Sequence, residues 1–473
     1  CIKYLRADDR RKNMKRRDFL KASALFGGVM ILPSALAAKV KGANSRANIA
    51  IIGWGGQGKS SVNSIFNSND ANIVALCDVD EGYAAYCYRD DRGKFLMQNI
   101  GSLPKFKDYR VMLDKMDSDI DGVCVCTPDH SHYPISAWAI SKGKHVFCEK
   151  PLTRTIWEAH ELKRLAAKAG VYTQMGNQVH TNDAWRTIRE WFESGIMGEV
   201  EDIYAWTDRS WGFDSMPPET SKPATLDYNL WLNVAHPRPF SGKVVPFNWR
   251  GLRDFGTGSA GDMGCHFLDN PYSGLDLGAP YKIVSDALPA KDFSWPKAAS
   301  IDMFFKNKFG KDGIVKLHWY DGLRRPKEIK RVDPAFLKDP KNKNCIFIVG
   351  TKHTMTFAYT GSGVKLTERD AQIELMKAGK IPPKTIKRNR FPFNPQADWA
   401  SAIVEGRMPE SNFDYAAPFT EIVLLSMISC IHPGVELEYA PKTMSFPNFK
   451  EADKYVRSLY SYRPEFLPSA ANV

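Results

Sequence analysis

Gly53-Trp54-Gly55-Gly56-Gln57-Gly58-Lys59-Ser60 satisfies two phosphate-binding patterns at once. As G-x-G-x-x-G it is a dinucleotide fingerprint, with glycines that let backbone approach a pyrophosphate at a helix N-terminus. As G-x-x-x-x-G-K-S it is a formal match to a nucleoside-triphosphate loop. Either match alone is weak, so the surrounding chain must decide. The dinucleotide pattern requires an acidic residue about 20 positions on, ending the next strand, to bind ribose hydroxyls. Asp78 ends Ile73-Val74-Ala75-Leu76-Cys77, and 78 minus 58 is 20. The triphosphate loop requires an aspartate after another strand to hold magnesium. The comparable strand here, Val123-Cys124-Val125-Cys126, runs into Thr127-Pro128 instead. The dinucleotide reading wins. Asp78, with Asp80 close by and no adjacent arginine, favours NAD over NADP, because a carboxylate repels the extra phosphate.

Outward from this loop, short apolar runs alternate with helical periods. Ile49–Gly53, Ile73–Asp78, Gly122–Thr127 and His145–Cys148 read as buried strands, with helices over Lys59–Asn67, Ile135–Ser141 and Trp157–Ala169. That alternation predicts a parallel sheet covered on both faces. Beyond Asn177 the pattern changes. A helix over Asp183–Ser194 precedes strands at Val200–Asp208, Ala299–Phe305, Gly313–Tyr320 and Ile346–Gly350, spaced by loops rich in Pro, Gly and Trp. Their partial alternation suits an antiparallel sheet with one covered face. The expected organisation is a leader over 1–38, an α/β dinucleotide domain over 46–175 and an α+β domain over 176–473.

The 473 residues carry a formal charge of +12. Residues 1–37 hold nine Lys and Arg against three Asp, so nine minus three puts half the excess there. The remaining +6 is spread thinly and forms no basic-aromatic cluster, which argues against nucleic-acid binding. The first segment reads as an export signal. Met14, read as the start, is followed by Arg16-Arg17-Asp18-Phe19-Leu20-Lys21, an apolar stretch from Ala22 to Leu36, and Ala35-Leu36-Ala37 as a cleavage pattern. It is too short and too rich in Ala and Gly to span a bilayer. The expected route is twin-arginine export, folded, to the periplasm. Of nine cysteines, Cys77, Cys124, Cys126 and Cys148 fall in strand runs, where the thiol behaves as a small hydrophobe. Cys124-x-Cys126 has no zinc spacing, and no metal is expected.

Two segments then carry a family resemblance. Thr127-Pro128-Asp129-His130-Ser131-His132 and Cys148-Glu149-Lys150-Pro151-Leu152 each follow a strand. Together with Gly176-Asn177-Gln178, Ser194 to Val200, Phe247-Asn248-Trp249-Arg250, Gly256-Thr257-Gly258 and Gly261-Asp262-Met263-Gly264-Cys265-His266, they resemble the Gfo/Idh/MocA oxidoreductases. That family includes glucose-fructose oxidoreductase and inositol dehydrogenase. The resemblance implies a Rossmann domain, then an open, mostly antiparallel sheet that carries the substrate and mediates homo-oligomers. It implies a cis Lys150–Pro151 peptide and a catalytic set of Lys150, Asp262 and His266. Cofactor contacts fall on Gly53, Trp54, Gly55, Gln57, Gly58, Asp78, Thr127, Pro128, His132, Glu149, Lys150 and Gln178.

Chemistry supports such a set. Oxidising a secondary alcohol requires a hydroxyl proton to leave while hydride moves to the nicotinamide. His266 is a base that titrates near neutrality. Asp262, at i−4, shares its helix face and would orient the imidazole or bind the sugar. Lys150 stabilises a developing alkoxide. Arg250 is a candidate for a substrate hydroxyl or acid group, and Trp231 and Trp249 for stacking on a sugar, though each also suits a bracing or core role. His130 and His132 read as packing beside the cofactor rather than as metal ligands.

The expected activity is NAD-dependent oxidation of a sugar, glycoside or polyol. A redox-neutral glycosidase acting through a transient keto-sugar is one alternative. A non-catalytic sugar-binding or regulatory protein on the same fold is another.

Overall fold

The computed structural model describes residues 46–458 and 460–469. The segment read above as a twin-arginine leader lies outside them. The first sheet comprises β1 (Ala47–Ile52), β2 (Ala71–Cys77), β3 (Lys105–Phe106), β4 (Gly122–Val125), β5 (His145–Cys148) and β6 (Thr173–Met175). All pair parallel, in the order β3-β2-β1-β4-β5-β6. This is the dinucleotide-binding order, which reverses direction between β1 and β4 and opens a crevice at their carboxyl ends. Ile49, Ile51, Val123, Cys124, Val146 and Phe147 are fully buried, as near-continuous apolar strands between two helical layers must be. The helices α1 (Gly58–Phe66), α2 (His132–Ser141) and α3 (Ile156–Ala169) form at the expected places. Thr155 and Glu158 close a reciprocal capping box at the start of α3, and Gly170 ends it in the left-handed conformation.

The second sheet is mixed but mostly antiparallel. Its strands are β7 (Val200–Thr207), β8 (Lys282–Ala287), β9 (Ala299–Lys306), β10 (Ile314–Tyr320), β11 (Asn344–Gly350), β12 (Thr354–Thr356), β13 (Lys365–Leu366) and β14 (Leu437–Glu438). They run in the order β13-β12-β11-β7-β10-β9-β8-β14, and only β7 and β10 pair in parallel. Alternation sets the covered face. Ile301, Met303, Phe305, Leu317 and Trp319 point into the main core, where Phe267 meets Trp319 edge-on at 5.7 Å. Two helices, α4 (Gly258–Phe267) and α5 (Phe413–Ser429), supply that core; α5 is buried almost all round.

One element departs from the sequence reading. The helix α6 (Pro395–Glu405) lies far beyond residue 175, yet it covers one face of the first sheet. Trp399 packs on Phe147 with ring centroids 6.0 Å apart and donates its indole N–H to the Tyr172 carbonyl at 3.1 Å. The dinucleotide layer is therefore completed by the C-terminal half of the chain.

Candidate functional site

The glycine loop leaves β1 and enters α1. Gly53 has φ +80, and a Cβ there would sit 2.8 Å from the Cys126 carbonyl oxygen. A Cβ on Gly58 would lie 1.8 Å from the Gly53 oxygen, so the turn admits no side chain at either position. At the helix start, Gln57 makes no side-chain capping bond and no acidic residue occupies the first turn, which leaves that terminus suited to an anion. Asp78 accepts the Gly55 N–H at 3.3 Å and the Asp80 N–H at 3.0 Å. Burial pushes its pKa up to about 6. Lys59, the residue a triphosphate loop would aim at phosphate, instead donates to Asp90 at 2.6 Å and to the Cys87 carbonyl at 3.0 Å.

A cavity of about 470 Å³ runs from this loop to the second domain. Gly53, Gly55, Gln57, Asp78, Thr127, Pro128, Glu149, Lys150 and Gln178 line it with Trp231, Trp249, Arg250, Asp262 and His266. Three predicted cofactor residues stand apart. Gly58 lies beneath the turn. The Trp54 side chain enters the core against Tyr88, at 5.4 Å between ring centroids. Both ring nitrogens of His132 contact carbonyl oxygens, Nδ1 that of Pro151 at 2.9 Å and Nε2 that of Thr127 at 2.8 Å. His132 thus ties two cofactor-side loops together. His130 likewise packs between Trp231 and Phe255 and donates Nε2–H to the Trp231 carbonyl at 2.9 Å.

The Lys150–Pro151 peptide is cis. Lys150 reaches across to α4 and donates to the Asp262 carbonyl oxygen at 2.8 Å and to its carboxylate at 2.9 Å. The same carboxylate accepts from Arg250 Nε at 3.1 Å and from Trp211 Nε1 at 2.8 Å. Although burial opposes ionisation, Lys150 and Arg250 outweigh it and hold the Asp262 carboxyl far below the usual carboxylate range. None of the described hydrogen bonds joins Asp262 to His266. The expected orientation of the imidazole by Asp262 is therefore not what the side chains do, because three stronger donors claim the carboxylate. The His266 ring makes no hydrogen bond to the described residues. Burial, followed by the Lys150 charge, lowers its pKa to about 3, so it is neutral.

Arg250 braces rather than projects. It pairs with Asp262 and lies over Trp249, 4.2 Å from the ring centroid. Trp231 and Trp249 both line the cavity but are largely buried, Trp231 stacking on Tyr228 at 5.7 Å. Sequence reasoning missed Trp211, whose indole completes the Asp262 cage, and Asp129, which accepts the Thr257 hydroxyl at 2.7 Å. The Thr257 hydroxyl is thereby used to tie the start of α4 to the dinucleotide domain, and it makes no capping bond.

Three of the lining residues carry unpaired buried polar atoms. Thr127 Oγ1, Glu149 Oε2 and Gln178 Oε1 are buried without a hydrogen-bond partner among the described residues, and all three residues line the cavity. Burial raises Glu149 to about 7, despite Gln57 Nε2 at 3.4 Å from its other oxygen. Unpaired polar atoms beside a glycine cradle fit a dinucleotide whose amide and ribose bring donors and acceptors. Among the described residues, no group of three or more His, Cys, Asp or Glu is placed to hold a metal, and no helix is long and apolar enough to cross a membrane. The eight described cysteines are free thiols.

Two family models match the chain in succession. The oxidoreductase family, NAD-binding Rossmann fold, matches residues 47–177, and the oxidoreductase family, C-terminal alpha/beta domain, matches 187–294. D-glucoside 3-dehydrogenase of Escherichia coli is 31% identical over 171 residues, 35% of this chain and 44% of that protein. Myo-inositol 2-dehydrogenase of Thermotoga maritima is 26% identical over 151 residues, 32% of this chain and 42% of that protein. The chain thus spans less than half the length of these curated relatives. Aldose-aldose oxidoreductase from Caulobacter crescentus, solved with glycerol, shares the fold with a TM-score of 0.53 at 15% identity. That likeness covers 83% of this chain and 99% of the other.

Proposed function

Because the chain belongs to the Gfo/Idh/MocA oxidoreductase family, we propose that it oxidises a secondary hydroxyl of a sugar, glycoside or polyol, with NAD held in the cavity described above. The observation that carries this is the convergence, in one cavity, of the glycine cradle, the unpaired Thr127, Glu149 and Gln178 atoms, and the Lys150–Asp262–His266 corner.

The cofactor, when bound, accepts the hydride; the remaining tasks fall to the chain. Lys150, held in place by Asp262, donates to the reacting oxygen and lowers the cost of its negative charge. Asp262 is committed to three donors and stays ionised, so it orients and does not take the proton. His266 is left as the neutral acceptor. Trp231 and Trp249 wall the cavity and limit water. The test is to purify the protein without added nucleotide, identify released cofactor by mass spectrometry, and follow NADH absorbance with sugars, glycosides and polyols. Release of adenosine triphosphate alone, or the absence of even a transient absorbance change in a single turnover with any of them, overturns the proposal.

Asp78 supplies a separate check on the cofactor. Asp78→Ala is expected to weaken NAD binding by about 1–3 kcal/mol, the scale of a lost charged hydrogen-bond partner. Binding of ATP with magnesium in preference to NAD by the wild type would reverse the assignment.

We propose further that the protein acts in the periplasm, on the strength of Arg16-Arg17 before Phe19-Leu20-Lys21. Soluble NAD is scarce there, so the cofactor would travel bound and be reset in place. Either a second sugar is reduced, or a keto-sugar loses its glycosidic substituent and is reduced again. Replacing Arg16 and Arg17 by lysine is expected to retain the protein in the cytoplasm with its leader uncut. Cell fractionation reads this, and unchanged delivery of the double variant counts against export.

A further inference from the structure

A second cavity, of about 840 Å³, meets the first at His266 and shares Gln57, Gln178, Arg209 and Met263 with it. That volume falls within the range that takes a ligand of drug size. A dinucleotide and one reacting hydroxyl account for the first cavity only. The second begins where that hydroxyl must sit, so a substrate larger than its reacting ring extends into it.

Its walls have a definite chemistry. Lys59, Arg92 and Arg209 line it against one carboxylate, Asp90, and three minus one leaves +2 with His266 neutral. Lys59 and Asp90 neutralise each other at 2.6 Å. Among the described residues Arg92 hydrogen-bonds to the neutral amides of Asn63 and Asn67, at 2.6 and 3.0 Å, and lies 5.0 Å from the Phe95 ring centroid, with no carboxylate partner. The Arg209 guanidinium makes no hydrogen bond or ion pair with the described residues; it lies 5.9 Å from the Trp211 ring centroid. Two arginines in one concavity, without acidic partners among the described residues, attract and orient an anion.

Two aromatic rings also line the cavity. Tyr359 is 38% exposed and Phe393 49% exposed, although both are large rings. Tyr359 stacks on Phe267 at 5.7 Å and meets His266 at 6.5 Å, so its outer face continues directly from the reacting corner. Phe393, at φ +60, adopts a backbone conformation uncommon for a bulky residue, and it lines the cavity. Aromatic rings, amides and arginines lining one cavity suit the apolar face and hydroxyl rim of a sugar ring.

We propose that this second cavity is a subsite for the non-reacting part of an extended, anionic carbohydrate. The preferred substrate is then an acidic glycoside and not a free neutral monosaccharide. This reading rests on the sugar oxidation proposed above, and the test separates the two.

NAD-loaded protein is titrated calorimetrically with disaccharides of gluco, galacto and manno configuration, each with a neutral outer sugar and with that ring as its uronate. The matching monosaccharides and their 1-phosphates form the remaining arms. At least one uronate or 1-phosphate is expected to bind about tenfold or more tighter than its neutral counterpart, as a charged hydrogen-bond partner provides. Preference for the uronate identifies a carboxylate on the outer sugar, and preference for the 1-phosphate identifies a phosphate. Arg92→Ala and Arg209→Ala should each reduce the preference, and Arg92→Ala should leave NAD occupancy unchanged. Equal affinity of charged and neutral forms overturns the subsite. So does a preference that survives both variants, or binding by no member of the panel. Failure of the protein to load NAD at all would sink the proposed oxidation instead.

Discussion

Lys150→Ala is expected to lower the rate of hydride transfer by on the order of 10²–10³, with NAD occupancy close to wild type. The ammonium group is neither solvated nor loose. It is fixed by two bonds to Asp262, one to backbone and one to the carboxylate, and that carboxylate is itself gripped by Arg250 and Trp211. A donor held this way has already met its reorganisation cost before the substrate arrives, which is why its loss is expensive. Lys150→Arg should not restore the rate, because a planar fork cannot reproduce a point charge aimed from the same stem. Removing the ammonium also takes away one of the two cations that depress Asp262, so the Asp262 pKa should rise. A single-turnover measurement of bound-NADH absorbance, at matched cofactor occupancy, reads the first effect. Transfer at the wild-type rate in Lys150→Ala would remove the lysine from the chemistry. A role in packing alone would appear as lower folding stability with cofactor and activity lost together.

The parts of this site legible in the sequence are those encoded by local pattern. Strands β1, β2, β4 and β5 are apolar runs bounded by turn residues, and the residues that follow them line the cavity, as the carboxyl edge of a parallel sheet demands. The spacing from Gly58 to Asp78 resolved an ambiguous loop because it tests a second strand and not the loop alone. What stayed hidden depends on pairings across long stretches of chain. Trp211 and Asp262 are 51 residues apart, and Lys150 and Asp262 are 112 apart. Helix spacing alone put Asp262 with His266, but spacing cannot weigh a neutral ring against two cations and an indole that arrive from elsewhere. Helix α6 was missed as a partner of the first sheet for the same reason. Strands β3, β6, β12, β13 and β14, of two or three residues, are too short to show any period. Trp54 shows a subtler limit: membership of a glycine loop does not say which side its indole takes, and the core beneath the loop claimed it.

His266→Ala is expected to lower turnover by on the order of 10²–10⁴ while NAD affinity barely changes. The ring is the one member of the corner with no hydrogen bond to the described residues, and it faces both cavities. Its pKa of about 3 has a consequence for the pH profile. A base is active when unprotonated, so lowering its pKa below 6.5 moves the acid limb of kcat/KM down and leaves the ring competent across pH 5–8. An ordinary histidine base would instead lose activity below about 6.5. A ring this weakly basic cannot take a hydroxyl proton unaided. Lys150 must lower the cost of removing that proton, even as its charge helps to depress the imidazole. The two residues are therefore coupled. Lys150→Ala should raise the His266 pKa and shift the acid limb of the residual activity upward, though only in part, since burial is the larger cause. Single-turnover rates between pH 4 and 9 for wild type, Lys150→Ala and His266→Ala test the coupling. Wild type should stay flat at the acid end of that range, and Lys150→Ala should lose rate there. An acid end in Lys150→Ala as flat as in wild type would separate the two residues electrostatically, and full-rate transfer in His266→Ala would remove the ring as base. Asp262, freed of its place as an anchor, would then have to be tested in its stead.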